Sequence, residues 1–344
     1  MKVTALSRTG ILCAIFLACL AVSPRTGLAT DDATVRTDCD GLVADPWTPG
    51  DKIGDTAPRR IDTRKALPIC QAAVAKFPDS QRLHSKLGKV YDQAQRFGEA
   101  AAEYQKAAQA GYAPAQSALG IMYLMGRGVP QDEAQARAWV RMAADQGFAP
   151  AQTNLGLMFE RGRAAPKDDA QAAEWFRKAA DQEFAPAQYH LGRLSAKDRR
   201  FREAADEFQK AAEQGYAPAQ NALGALILSV KGPGVPEDET QAIGWLRRAA
   251  DQGFAPAQNI LGLIYEQGRI VPRDGAQAAQ WFRRAAERGF AQAQYNLGLL
   301  YQKGLGVPKD DAQAEAWLRR AKERGYTPRA GAPLIGDEAI PILE

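Results

Sequence analysis

The chain has 344 residues, with 44 Lys and Arg against 40 Asp and Glu, two histidines and four cysteines. Lys2, Arg8 and Arg25 fall in the first 29 residues and no acid does, so the formal charge of +4 loses three and becomes +1 beyond them. So small an excess is no footprint of a polyanion-binding protein, and two lone histidines, His84 and His190, leave no metal-ligand cluster.

Lys2 and Arg8 precede an apolar run over residues 11–22, and Gly27-Leu28-Ala29 supplies small residues before Thr30. A positive start, a short apolar stretch and a small-residue cleavage site read as a secretory signal peptide over residues 1–29. The run is too short to span a bilayer. Phe16-Leu17-Ala18-Cys19 faintly resembles a lipobox, so a lipoprotein form stays open beside the cleaved soluble one. Either way the mature chain is expected to be periplasmic or secreted. Cys13 and Cys19 leave with the signal peptide, and the remaining pair, Cys39 and Cys70, is expected to form a disulfide, the alternative being two buried thiols.

Residues 30–60 are rich in Asp, Pro, Gly and Thr and lack periodicity, as an extended arm would. A helix is predicted over residues 65–76, with Ala66, Ile69, Ala73 and Leu67 inward, stopped by Phe77-Pro78-Asp79. Residues 30–80 thus form an N-terminal arm and capping helix, with Trp47 closing the apolar end of the residues from 81 onward.

From Gln81 the chain repeats itself. The stretch that starts at Ala255 matches itself at Ala113, Ala149, Ala185, Ala217 and Ala291, with a looser copy from Gln81. The period is 36 residues, with one copy of 38 and two of 32. Self-similarity at this spacing marks a solenoid. In the copy from Ala255, Pro256 suits a first helical position, and Ala257, Leu261 and Tyr265 recur every four residues on one face. Gly262 on that face lets a second helix come close, and Gly268 ends the first. Asp274 and Gln277 predict a capping box before the second helix. The same spacing recurs at Asp132/Gln135, Asp168/Gln171, Asp238/Gln241 and Asp310/Gln313, so these acids are read as caps and not as catalytic carboxylates. The second helix is expected to bury Ala278, Trp281 and Ala285, and Gly289 to supply a left-handed residue after it. Glu183 alone breaks that glycine series, which predicts a different cap or strain. Trp139, Trp175, Phe208, Trp245, Trp281 and Trp317 are read as one column of core aromatics.

Ala-x-Ala-x-x-x-Leu-Gly-x-x-Tyr, a Gly-Val-Pro-x-Asp loop and Ala-x-x-Trp-x-x-x-Ala-Ala-x-x-Gly together resemble the Sel-one-like repeat (SLR), a relative of the tetratricopeptide repeat. The resemblance covers residues 81–326 as seven repeats. In the two shorter copies Arg96-Phe97-Gly98 and Arg200-Phe201-Arg202 replace the glycine-valine loop, as in ordinary tetratricopeptide turns. It implies an all-α, right-handed α-solenoid of helix-turn-helix repeats that binds other proteins, with no catalytic residue and no cofactor. Beyond it, residues 327–344 form an apolar tail that either caps the last repeat or docks a partner.

Arg141, Arg177, Arg247, Arg283 and Arg319 stand four residues before Asp145, Asp181, Asp251, Glu287 and Glu323, so the basic stripe is expected to neutralise itself by pairs one turn apart. That argues against nucleic acid. The glycines of Gly126-Arg127-Gly128 and Gly304-Leu305-Gly306 have no phosphate-loop lysine and are read as hairpin turns. First helices of such stacks line the inner curve. Thr153, Asn154, Tyr189, His190, Arg193, Asn221, Asn259, Tyr295 and Asn296, with Leu157, Leu263 and Leu299 between them, are therefore the candidate partner-binding residues for a peptide or helix laid along the groove. The expected function is an exported scaffold or adaptor for an envelope signalling or assembly partner. An envelope enzyme or glycan-binding accessory is the other reading.

Overall fold

The computed structural model describes residues 38–39, 41–43, 61–230, 234–268 and 270–327. The expected signal peptide, Trp47 and the tail beyond 327 lie outside them. Fifteen α-helices lie from Thr63 onward, residues 38–39 and 41–42 are helical too, and no strand occurs among the described residues. A single helix, α1 (Thr63–Lys76), precedes seven pairs. These are α2 (Gln81–Gln93) with α3 (Phe97–Gln109), α4 (Ala113–Met125) with α5 (Glu133–Asp145), and α6 (Ala149–Arg161) with α7 (Asp169–Ala180). Then come α8 (Ala185–Lys197) with α9 (Phe201–Glu213), and α10 (Ala217–Ser229) with α11 (Glu239–Asp251). The last are α12 (Ala255–Gln267) with α13 (Gly275–Glu287), and α14 (Ala291–Lys303) with α15 (Asp311–Glu323). Each helix packs on the one before and the one after, and first helices also meet across repeats, α4 with α6 and α6 with α8. That arrangement is a right-handed all-α solenoid with the first helices on its inner curve.

The local chemistry explains the helix ends. Proline occupies the first turn of α4, α6, α8, α10 and α12, where its missing N–H leaves nothing unpaired. Asp132, Asp168, Asp238, Asp274 and Asp310 each accept the backbone N–H of the glutamine three residues on, at 2.9–3.0 Å. Each such cap contributes about 1 kcal/mol. At Asp168 the expected reciprocal half takes another form: the Gln171 side chain donates to the Asp168 carboxylate itself, at 2.8 Å.

The core of a pair is a close approach at glycine. A Cβ on Gly262 would sit 2.5 Å from the ring of Phe282, a side chain with no exposed surface. The same relation joins Gly88 to Tyr104, Gly120 to Val140, Gly156 to Phe176, Gly192 to Phe208, Gly224 to Leu246 and Gly298 to Leu318. The aromatic column read from sequence therefore needs correction. Phe208 belongs with Phe176 and Phe282, and the tryptophans stand one residue earlier. Trp175 and Trp245 are buried while Trp139, Trp281 and Trp317 are half-buried. Their outer faces carry cations from the next turn: Arg248 over Trp245, Arg284 over Trp281 and Arg320 over Trp317, at 4.5–4.6 Å. In the two short repeats Glu103 and Glu207 take the tryptophan place and pair with Lys106 at 2.8 Å and Lys210 at 2.6 Å. The tryptophan seals the rim and the residue after it fills the core.

Neighbouring repeats are joined by a glutamine ladder. The buried side chains of Gln116, Gln152, Gln220, Gln258 and Gln294 donate Nε2 to the carbonyl oxygens of Ala108, Ala144, Ala212, Ala250 and Ala286, at 2.9–3.2 Å. Each bond closes the last turn of one repeat onto the first turn of the next.

At the N-terminal end, Cys39 and Cys70 are bonded, with Cα atoms 5.1 Å apart. Cys39 and Val43 are fully buried, and Lys86 Nζ donates to the Val43 carbonyl at 2.7 Å. The described part of the arm thus lies on α1 and α2. Within α1 the inward residues are Ala66, Cys70 and Ala73, while Ile69, expected inside, is exposed. Cys70 sits four residues after Ala66 and takes the inward place once the disulfide fixes the helix rotation.

Candidate protein-binding groove

The fifth and sixth residues of each first helix point along the inner curve, and the structure divides the candidate residues into two groups. The first group is absorbed within its own helix or between repeats. Thr153 is buried, its hydroxyl donating to Ala149 O at 2.9 Å. Asn154 on α6 donates to Ser117 Oγ on α4 at 3.3 Å, and Asn296 on α14 donates to Asn259 Oδ1 on α12 at 3.0 Å. Asn259 and Asn296 are 2 % and 6 % exposed, and Leu263, placed on the groove from sequence, is 3 % exposed. These side chains form the seam between inner helices. Successive first helices converge on the concave side, so residues that one helix would show to solvent are covered by the next.

The second group stays half-exposed: Tyr189, His190, Arg193, Asn221 and Tyr295, with Leu157 and Leu299. Tyr295 leans on Tyr326, ring centroids 5.3 Å apart, and Tyr189 lies between Phe208 and Tyr216 at 5.7–5.8 Å. His190 stacks on Phe176 at 5.2 Å. Burial first, then the Arg193 and Arg161 guanidinium groups, push its imidazole down to about 3, so it is neutral at pH 7.

Around these residues α6, α8 and α10 carry polar groups that sequence only half revealed. Glu160 on α6 faces Arg193 on α8 at 3.9 Å. Three buried polar atoms there have no hydrogen-bond partner among the described residues: Glu160 Oε2, His190 Nδ1 and Asn221 Oδ1. Asn221 is left alone because Ile260 on α12 stands where Asn296 serves Asn259 two helices later. Glu160 had a readable signal. It occupies the twelfth helical place, where Leu124, Ala196 and Leu228 are apolar. Glu266 and Asp92 hold the same place, and burial pushes both carboxyls up against the pull of nearby cations. A carboxylate and an imidazole nitrogen near Arg193, and the Asn221 amide oxygen on the next first helix, are hydrogen-bond acceptors left without a partner among the described residues.

The other predicted pairings need revision. Arg141 and Arg319 reach Asp145 and Glu323 at 3.1 and 3.9 Å, but Arg247 and Arg283 donate to the hydroxyls of Tyr265 and Tyr301 at 2.6 and 2.9 Å. His84, solitary in sequence, lies between Glu103 Oε2 at 2.5 Å and the Pro78 carbonyl at 2.8 Å. No group of three or more metal-binding side chains gathers among the described residues, and no described helix is long and apolar enough to cross a membrane.

Stacked helical hairpins with an inner face of mixed polarity define the class: a tetratricopeptide-like repeat solenoid of the kind that serves as a scaffold for other proteins. The Sel1 repeat model matches residues 113–148, 149–184, 208–216, 217–254, 255–290 and 291–326, more than half of the chain. The chain belongs to the Sel1-repeat family. Only the end of the short repeat at 185–216 is matched, consistent with its tetratricopeptide-like turn. Among solved structures, a Sel1 repeat protein from Oxalobacter formigenes is 34% identical with a TM-score of 0.63, over 69% of this chain and 98% of that one. The c5321 protein, a protective antigen present in uropathogenic Escherichia coli strains and displaying an SLR fold, is 32% identical with a TM-score of 0.57. That match covers 77% of this chain and 58% of the other, so this chain spans under two thirds of its length. No curated protein matches the chain.

Proposed function

We propose that the chain is an exported scaffold or adaptor that holds a protein partner along its inner curve, at the level of α6, α8 and α10. The observation that carries this is the trio of buried, unpaired atoms, Glu160 Oε2, His190 Nδ1 and Asn221 Oδ1. A buried polar atom left without a partner costs about 1–3 kcal/mol, and a segment laid along three successive first helices would pass each in turn. Tyr189 and Arg193 flank that segment, and the rest of the half-exposed inner face, through Tyr295, extends its track. Export to the periplasm or beyond is supported by the N-terminal sequence, by a disulfide that an oxidising compartment would keep, and by the likeness to a protective antigen. The partner is an envelope signalling or assembly protein.

A photo-crosslinking residue placed at Arg193 or Asn221 in intact cells tests the groove, with the same residue at exposed Gly244 on α11 as control. One reproducible crosslinked protein from the inner positions and none from Gly244 is expected. Equal patterns from both faces would overturn the groove assignment. Cell fractionation with N-terminal sequencing tests export: a mature chain starting near Thr30 is expected, and a full-length chain confined to the cytosol refutes it.

A further inference from the structure

The glutamine ladder is completed in four junctions and broken in two. Gln146, Gln182, Gln214 and Gln252, at the ends of second helices, donate Nε2 to the Oε1 of Gln116, Gln152, Gln188 and Gln220 at 2.7–2.8 Å. A planar carboxamide from the chain itself thus supplies the hydrogen that each buried glutamine oxygen requires. In the last two junctions the donor is replaced by Arg288 and Arg324. Neither serves the oxygen. The Arg288 guanidinium lies over Gly253, within 2.5 Å of where a Cβ would stand, and Arg324 lies the same way over Gly289. Gln258 and Gln294 are 3 % and 4 % exposed, and the Oε1 of each has no partner among the described residues.

Each of these two glutamines lines a depression. One of about 450 Å³ is walled by Asp251, Gly253, Arg284, Glu287 and Arg288 around Gln258. Its counterpart one repeat on, of about 420 Å³, has Glu287, Gly289, Trp317, Arg320, Glu323 and Arg324 around Gln294. Both lie at the ends of second helices, away from the polar groups of the inner curve.

The two groups at the back of each depression specify the ligand. A buried amide oxygen needs an N–H donor, and an adjacent guanidinium needs an acceptor. A carboxylate answers the arginine but sets its lone pairs against the glutamine oxygen. An ammonium answers the oxygen, and the carboxylates in each wall offset the arginines, but it has no lone pair to offer the guanidinium. A primary carboxamide carries a donor and an acceptor on one planar edge, and it is the group that occupies this place in the four closed junctions. We propose that the α11–α13 and α13–α15 junctions are two equivalent sites, one repeat apart, for glutamine or asparagine side chains of a partner polypeptide. This surface is separate from the inner groove and stands whether or not the groove binds.

Nuclear magnetic resonance titration of the full chain tests the proposal, with the capped peptide acetyl-Gly-Gln-Gly-Gln-Gly-N-methylamide, whose only primary carboxamides are the glutamine side chains, as probe and its Glu-for-Gln counterpart as control. Expected are saturable shifts of the Gly253 and Gly289 amides and of the Gln258 and Gln294 side-chain amides with the glutamine peptide alone. The double variant R288Q/R324Q supplies the missing carboxamides from within and is expected to lose at least tenfold in affinity while its melting temperature holds or rises. Equal shifts with the glutamate peptide would reduce the sites to anion contacts on arginine. No shift, or binding undiminished in the variant, would overturn the proposal outright. The comparison of the two peptides decides the question even if the variant folds poorly.

Discussion

Glu183 is held at φ 58°, in the left-handed region that glycine fills at Gly111, Gly147, Gly215, Gly253, Gly289 and Gly325. The backbone bonds are those of its counterparts, Glu183 N–H to Ala180 O at 2.9 Å and Phe184 N–H to Ala179 O at 3.3 Å. The repeat geometry therefore overrides the local preference, and the residue carries the strain that its place in the series predicts. Glu183→Gly is expected to stabilise the chain by about 0.5–1 kcal/mol, the relief of strain exceeding the added freedom of the unfolded glycine. Chemical denaturation of the two proteins checks this. His190 gives a second test. Its folded value is depressed to about 3 from 6.5, so between those values the unfolded chain binds the extra proton and stability falls as pH falls. The slope approaches about 1.4 kcal/mol per pH unit at most. His190→Gln should flatten the stability curve between pH 6 and 4 relative to the parent, and an unchanged slope would show that the imidazole is not desolvated.

A first helix is made by proline at its start and small residues along its buried face, and its pairing depends on one glycine meeting one large side chain. Gly262→Ala drives a methyl into Phe282 and is expected to cost about 1–3 kcal/mol, as overpacking does. Gly244, in the exposed face of α11, has nothing within 4 Å of an added Cβ. Gly244→Ala should stabilise by about 0.5–1 kcal/mol through helix propensity alone. Thermal melts of both distinguish packing from propensity. At this scale the sequence was legible in most respects. Proline, aspartate and glycine mark helix ends through chemistry confined to a single turn. It misled at Phe208, because in the short repeats the aromatic sits one residue from the tryptophan register, and at Ile69, because a disulfide decides which face of α1 turns in.

Across the molecule, stability passes from repeat to repeat through nearest neighbours. The Cys39–Cys70 bond closes 31 residues at one end of the stack, which contributes about 3–4 kcal/mol in the chain-entropy model. Reduction should therefore speed hydrogen exchange in α1 to α3 well before α12 to α15. Uniform loosening along the chain would refute a cap that acts locally.

The amino-acid order by itself determined that helical hairpins form, how many residues each spends and that they must stack, because periodicity, caps and small-residue faces act over one repeat. It also assigned His190, Arg193 and Asn221 to first helices, which the structure forms at those positions. Only the tertiary structure decided which of the inner polar residues remain available. Asn154, Asn259 and Asn296 are consumed by the neighbouring helix and Thr153 by its own backbone, whereas Glu160, His190 and Asn221 are not, and for the asparagines that depends on which residue the next repeat sets opposite each. The same holds for Arg288 and Arg324. Their departure from glutamine is plain in the sequence, but it has meaning only where the preceding repeat brings Gln258 and Gln294 to face them.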